Sequence, residues 1–105
     1  MFFLVSCQNQ LDPREQAYRW PAPDPDSPLI GTRWINTDWG EQIIYFEDAE
    51  TVVFDGNTYA YTYDKAKLRG QADYLGGFTV TEDYQRMNFS NWTIYNHSVI
   101  FTRFL

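Results

Sequence analysis

The positions of the prolines constrain the fold of this chain more than any other feature. All five lie between Pro13 and Pro28, and none occurs in the 77 residues that follow. Proline removes a backbone donor and is confined to the margins of β-sheets, so its absence after Pro28 permits continuous pairing there. The alternating prolines of residues 21–28 instead favour an extended backbone. The sequence therefore predicts an extended linker over residues 8–28 and one folded body over residues 29–105.

The folded body compensates for its small size with large side chains. Sixteen of its 77 residues are aromatic, and each aromatic side chain can bury roughly 150–250 Å². A chain of this length supports a single core only marginally. No disulfide bond stabilises it, because the one cysteine, Cys7, lies outside the body. We therefore expect one domain that is held together by aromatic packing.

Short runs of apolar and β-branched residues alternate with turn residues throughout the body. Asp55-Gly56 between two apolar runs is the strongest short-range signal for a hairpin, and Gly76-Gly77 predicts a bulge or a sharp bend. No segment has a helical period of useful length. Strand signals recur about every ten residues, at residues 32–36, 42–47, 51–54, 58–63, 67–72, 78–81, 86–89, 92–95 and 98–104. The pattern predicts an all-β fold, either a small sandwich or a closed antiparallel meander barrel of about eight short strands. Such a barrel would be filled largely by its own side chains.

A surplus of tyrosine marks one predicted strand. Residues 58–63 alternate strictly, which places Tyr59, Tyr61 and Tyr63 on one face. These rings either fill the core of a small domain without disulfides or line an open side that stacks against sugars, peptides or flat apolar ligands. With Trp92, they are the candidate ligand-binding residues.

Residues 1–7 form an apolar run that ends in Leu-Val-Ser-Cys. This tetrapeptide resembles the lipobox of bacterial lipoproteins, which implies cleavage before Cys7, lipidation of that cysteine and attachment to a membrane. Gln8 in place of aspartate implies the outer membrane in a Gram-negative host. The apolar run is shorter than the roughly 7–15 residues of a secretory signal and has no basic residue before it. Either the start of the signal lies upstream, or the run is an apolar terminus or an extra strand.

Short motifs in the body resemble the small lipocalin-like (calycin-type) barrel domains of bacterial lipoproteins. They are Leu-Ile-Gly-Thr-Arg-Trp at 29–34, Tyr-Thr-Tyr-Asp at 61–64, Phe-Thr-Val-Thr at 78–81, Met-Asn-Phe at 87–89 and Ile-Phe-Thr-Arg at 100–103. The opening glycine is Gly31. The resemblance implies that Trp34 plugs one end of a barrel and that Arg103 stacks across it in a cation–π contact. Lipocalins proper open with Gly-x-Trp, one residue shorter, and META-type domains also open with Gly-Thr-x-Trp.

Signals for catalysis and for nucleic-acid binding are poor. A net charge of −6 opposes binding to a phosphate backbone. His97 is the single histidine and has no partner at a metal-ligand spacing. Nearly all acidic residues fall in predicted turns, where carboxylates are usually solvated. We therefore expect a protein that is not an enzyme and that needs no metal or other cofactor.

The sequence thus predicts a monomeric, membrane-anchored, extracytoplasmic binding module. Its ligand would be a small apolar molecule or one that stacks on aromatic rings. The alternative is an inhibitor or protein-interaction module without an internal ligand, which would bind an envelope protein through loops such as residues 38–40 and 82–85.

Overall fold

The computed structural model describes residues 19–38, 40–92 and 97–104. Within these ranges the chain forms eight β-strands and no helix. The strands are Arg33–Asn36 (β1), Gln42–Phe46 (β2), Thr51–Phe54 (β3), Asn57–Asp64 (β4), Arg69–Ala72 (β5), Gly76–Val80 (β6), Arg86–Phe89 (β7) and Val99–Phe104 (β8). Each strand pairs antiparallel with the next, and β8 pairs with β1, so the sheet closes on itself. The predicted all-β closed meander barrel is confirmed, and this architecture is compatible with a lipocalin-like barrel.

The predicted strands agree with the observed ones to within about two residues at each end, which is the usual uncertainty of strand and helix limits. A further strand was predicted at residues 92–95. Trp92 belongs to no strand, and residues 93–95 lie outside the described ranges. The predicted lipobox, Cys7 and the first part of the linker also lie outside them.

The two glycine-containing turns differ from each other in geometry. Asp55 and Gly56 have φ values of 54° and 78°, and positive φ at both central residues is the requirement of a tight type I′ hairpin. The hairpin predicted there is confirmed. Gly76-Gly77 does not form a bulge, because both glycines pair with β5 in continuous register, Gly76 with Ala72 and Gly77 with Gln71. Gly76, with a φ of 105°, ends the sharp bend that residues 73–75 make, so of the two predicted alternatives the bend is confirmed.

The interior of the barrel is filled with side chains. Inward and outward residues alternate along the strands, as in β5 and β7, where every second residue is buried. The largest fully buried side chains are Trp34, Trp92, Phe46, Phe89, Phe101, Leu29, Ile44, Leu75, Met87, Val52 and Val99. A barrel of eight short strands has just enough room for such a packed core.

The barrel has two ends, which differ in what covers them. The linker enters at one end, called here the leader end, where the turns after β2, β4 and β6 also lie. The connections after β1, β3, β5 and β7 lie at the opposite end, called here the far end. Leu29 directly follows the linker, and its fully buried side chain belongs to the core at the leader end.

The segment that joins the linker to β1 is fixed by its own hydrogen bonds. Gly31 has a φ of 82°, a conformation that glycine adopts without the steric cost of a Cβ atom. The Thr32 hydroxyl donates to the Leu29 carbonyl at 2.6 Å and accepts from the Trp34 Nε1–H at 2.8 Å. The buried indole of Trp34 therefore has a polar partner, as buried indoles usually do.

Trp34 and Arg103 are direct partners across the β1–β8 pairing that closes the barrel. Directly opposed residues of antiparallel strands project to the same face, and both side chains lie on the inward face. The Arg103 guanidinium donates to the Tyr84 carbonyl at 3.5 Å. The cation–π contacts found within the described residues join Arg33 to Tyr45 and Arg69 to Trp20. Arg103 and Trp34 are thus paired in the backbone register, and the predicted cation–π contact between their side chains is not among those found in the described residues.

Candidate functional site

Two of the four predicted ligand-binding residues, Tyr61 and Trp92, lie inside the hydrophobic core. Tyr61 is 4% exposed, and Trp92 is fully buried. The Trp92 ring contacts the rings of Phe54, Phe89 and Phe101 with centroid separations of 5.1, 4.9 and 4.8 Å. The Nε1–H of Trp92 has no hydrogen-bond partner among the described residues. A ligand would reach the Trp92 ring only if the core opened.

Tyr63 lies at the leader end, half-buried against the core. Its ring stacks on that of Phe78 with a centroid separation of 6.1 Å and an interplanar angle of 8°. Gly70 is the residue between them in the register of β4, β5 and β6. A Cβ atom on Gly70 would collide with the Phe78 ring, so the absence of a side chain on β5 lets the two aromatic rings meet.

The hydroxyl groups of Tyr61 and Tyr63 hold the loops of the leader end. Tyr61 donates to the Asp48 carbonyl at 2.6 Å, and the hydroxyls of Tyr63 and Tyr84 lie 2.7 Å apart. Burial raises the pKa of Tyr61, with a smaller contribution from the negative charge of Asp48. Burial also raises the pKa of Tyr63, as does its hydrogen bond with Tyr84. Both hydroxyls therefore stay protonated at neutral pH and serve as hydrogen-bonding groups.

Tyr59 lies at the far end, where it stacks on Tyr74. The ring centroids are 5.4 Å apart, and the rings are inclined by 20°. Tyr74 is 56% exposed and has a φ of 69°, which is uncommon for a bulky residue. The three predicted tyrosines do share one face of β4, but the structure distributes them from the far end to the leader end and does not bring them together with Trp92 at one open surface.

The linker packs against the leader end and forms a cleft with it. Asp26 N–H donates to the Asp24 carboxylate at 2.9 Å, which fixes a turn in the linker. The Asp24 carboxylate also lies 4.0 Å from Lys65 Nζ in the β4–β5 turn. Between the linker and that turn is a cleft of about 160 Å³, to which Pro21, Pro23, Tyr61, Tyr63 and Lys65 contribute. Two of the predicted ligand-binding residues therefore line one cleft, in an arrangement that depends on the linker.

Trp20 packs on the outer face of β4, β5 and β6, next to Arg69. The Arg69 Cζ atom lies 5.8 Å from the centre of the Trp20 ring. Trp20 borders two grooves, one of about 390 Å³ towards β6 and one of about 210 Å³ towards β4. Trp20 thus attaches the linker to the body. The sequence did not predict these grooves, because the signals at residues 67–72 indicate a strand and do not show what packs on it.

Among the described carboxylates, Asp48 and Asp83 have pKa values that are shifted by their surroundings. The Asp48 pKa is lowered mainly by its hydrogen bond from the Glu50 N–H, and the Asp83 pKa is lowered mainly by the Thr81 hydroxyl. Both groups are turn carboxylates that accept local hydrogen bonds, as Asp does in solvent-exposed turns. Within the described ranges, no group of three or more acidic, histidine or cysteine side chains could hold a metal ion. His97 lies in the connection between β7 and β8, where its carbonyl accepts from the Trp92 N–H at 3.0 Å.

Comparisons of the whole chain with protein-family models, with curated proteins and with solved structures found no match. In the part of the chain that the structure describes, no helix is both long enough and apolar enough to cross a membrane.

Proposed function

We propose that this protein is a lipid-anchored, extracytoplasmic interaction module of the lipocalin-like lipoprotein type. In this proposal it binds a component of the cell envelope through the outer surface of its barrel, without an internal ligand and without catalysis. Lipidated Cys7 attaches the chain to a membrane, the outer membrane in a Gram-negative host. The linker joins this anchor to the barrel, and its proline-rich part packs against the leader end.

The packed interior is the observation that supports outer-surface binding most directly. Fifteen hydrophobic residues form a continuous buried core, and Trp34, Trp92, Phe46, Phe89 and Phe101 occupy the positions where a carrier would hold its ligand. Ligand sites of drug size are cavities of roughly 300–1,000 Å³. Opening one here would remove several buried aromatic side chains, and truncating even one typically costs about 3–5 kcal/mol.

Native mass spectrometry of the full chain, extracted from its own envelope, tests this proposal. The expected mass is that of the lipidated chain without a stoichiometric small molecule. Photo-reactive side chains at the outward positions of Ile43 and Ile100, which are 38% and 44% exposed, should form crosslinks to an envelope component in living cells. A small molecule that leaves the protein only when the barrel unfolds would contradict the proposal.

A small-ligand function is the second candidate, and the cleft under the linker is the observation that favours it. Tyr61 and Tyr63 line this cleft of about 160 Å³ with Pro21 and Pro23, so a small flat molecule could contact aromatic and proline rings there. Ala22→Trp would fill the cleft from the linker side. If this candidate is right, a small molecule is detected on the wild-type chain and is lost from the Ala22→Trp variant. The same small molecule on both chains would exclude the cleft as its site.

A further inference from the structure

The strand β5 presents a row of three planar hydrogen-bonding side chains on the outer wall of the barrel. Gly70 and Ala72 face inward and are buried, so Arg69, Gln71 and the following Asp73 face outward, and all three are exposed. Alternate residues of a strand are separated by about 7 Å. The row therefore places a guanidinium and an amide about 7 Å apart, with the Asp73 carboxylate next to them in the loop that follows β5.

Trp20 stands beside this row and gives it an aromatic wall. The indole is half-buried and contacts the Arg69 guanidinium. Together with Gln71, it lines both of the grooves described above. Asp73 and Thr62 belong to the groove towards β4, whereas Thr79 and Ser90 belong to the groove towards β6. One aromatic ring thus lines two adjacent grooves, and each groove also has side chains that donate or accept hydrogen bonds.

Gly77 keeps the groove towards β6 open. It is paired with Gln71 and faces outward, where a side chain would project into the groove. A Cβ atom there would meet only the Gly70 carbonyl oxygen at 3.8 Å, which is ordinary van der Waals contact. The core therefore does not require glycine at this position, and the bare backbone serves to widen the groove.

The chemistry of these grooves selects a class of ligand. A pyranose ring offers a face of C–H groups, which are attracted to the negative face of an indole ring. Its rim carries hydroxyl groups, which pair with amide, carboxylate and guanidinium groups. One positive, one neutral and one negative side chain form the row, so its charge is balanced. A balanced row within a chain of net charge −6 suits a neutral polymer better than an anionic one.

We propose that the two grooves flanking Trp20 bind a neutral glycan chain, with Trp20 stacking on one sugar ring and Arg69, Gln71 and Asp73 binding hydroxyl groups of successive sugars. This inference rests on the proposed outer-surface function and names the chemical class of its partner.

Isothermal titration of the full chain with β-1,4-linked hexasaccharides of glucose and of N-acetylglucosamine tests the proposal, alongside co-sedimentation with protease-treated envelope polysaccharide. At least one of these glycans should bind. Trp20→Ala and Gly77→Thr should each weaken that binding by about tenfold or more, the loss of roughly one well-formed contact. Gly77→Thr tests the groove towards β6 separately from the stability of the barrel, because the new side chain would occupy that groove. The strand itself should not be disturbed, since threonine favours strands and there is room for it at this position.

Arg86→Ala, on the outer face of β7 and outside both grooves, is the control and should bind like the wild type. Equal urea midpoints for the wild type and Gly77→Thr would exclude unfolding as the cause of lost binding. Absence of binding to all three glycans, or unchanged binding by both Trp20→Ala and Gly77→Thr, would overturn the proposal. If glycan binding is absent while the crosslinks to an envelope component persist, only the glycan assignment fails, and the outer-surface function stands.

Discussion

Gly70 has no side chain, and this absence determines how two neighbouring aromatic side chains pack. Tyr63, Gly70 and Phe78 occupy one inward row across β4, β5 and β6. Because the middle position carries no side chain, the Tyr63 and Phe78 rings stack over it. Aromatic rings that cover a glycine in this way restore the side-chain packing that the glycine itself cannot provide.

Gly70→Ala should therefore destabilise the barrel. The new Cβ atom would collide with the Phe78 ring and with the Thr62 carbonyl, and overpacking of a filled core typically costs about 1–3 kcal/mol. Gly77→Ala is the matched control on the outer face, where the new atom has only an ordinary contact. Urea unfolding should give a lower midpoint for Gly70→Ala and an almost unchanged one for Gly77→Ala. Equal midpoints would mean that the glycine does not make room for the stacked rings.

Two buried tyrosine hydroxyls predict an alkaline loss of stability. Burial raises the pKa of Tyr61 and Tyr63 in the folded state, whereas in the unfolded chain each titrates near its ordinary value of about 10. Their contribution is complete below about pH 10 and is lost as the pH rises above it, because the unfolded state then releases protons that the folded state retains. The free energy of unfolding should fall by at most about 1.4 kcal/mol per pH unit for each tyrosine.

Tyr61→Phe separates this effect from general alkaline denaturation. At neutral pH it should cost about 0.5–1.5 kcal/mol, since the hydrogen bond to the Asp48 carbonyl is lost. Above pH 10 the variant should lose stability less steeply than the wild type, as measured by urea unfolding at a series of pH values. An identical slope in the two proteins would rule out Tyr61 as a source of the alkaline dependence.

At the scale of the elements, the pairing of β1 with β8 completes the barrel. Trp34 and Arg103 face each other across it, and Arg103 extends to the Tyr84 carbonyl in the turn between β6 and β7. This side chain therefore connects the last strand, which pairs with the first, to a neighbouring turn. It belongs to the closure of the fold and is not part of either groove at Trp20.

Arg103→Ala should lower the melting temperature. A hydrogen bond from a charged group contributes about 1.5–3 kcal/mol at good geometry, and the 3.5 Å contact here suggests a value of about 1 kcal/mol. For a domain of this size, that loss lowers the melting temperature by about 4–8 °C. Arg86→Ala, which removes an exposed arginine on β7, is the control and should change it little. Similar melting temperatures for Arg103→Ala and the wild type would show that Arg103 does not stabilise the closed barrel.

At the scale of the whole molecule, closure removes the free strand edges. Unpaired edges are the usual templates for edge-to-edge association, and in this barrel each of the eight strands has a partner on both sides. The chain should sediment as a single species at the 12.4 kDa of one copy, before any lipid is added. A mass that rises with concentration would indicate association through the outer wall, where Ile43 and Ile100 are exposed.

Lipidation is also a property of the whole molecule, and it can be tested without reference to the barrel. The full-length gene product, expressed in its own host, should incorporate radiolabelled palmitate, and Cys7→Ala should abolish the incorporation. Label that persists in Cys7→Ala, or no label in the wild type, would contradict the lipobox interpretation. Neither result would alter the assignment of the barrel.

The sequence alone determined the local features of this protein. Proline placement distinguished the linker from the body, and the alternation of residues 58–63 placed the three tyrosines of β4 on one face, because both signals depend on neighbours in the chain. Asp55-Gly56 predicted its hairpin for the same reason. The resemblance at Gly31 and Trp34 predicted the start of a barrel.

Only the tertiary structure decided which of these residues meet. Whether Tyr61 is core or binding surface depends on the packing of Phe46 against it, and the role of Gly70 depends on its register with two other strands. The position of Trp20 over β5 depends on the path of a linker that has no periodic pattern. These contacts join residues far apart in the chain, where propensity and spacing contain no information, and closure of the barrel brings them together.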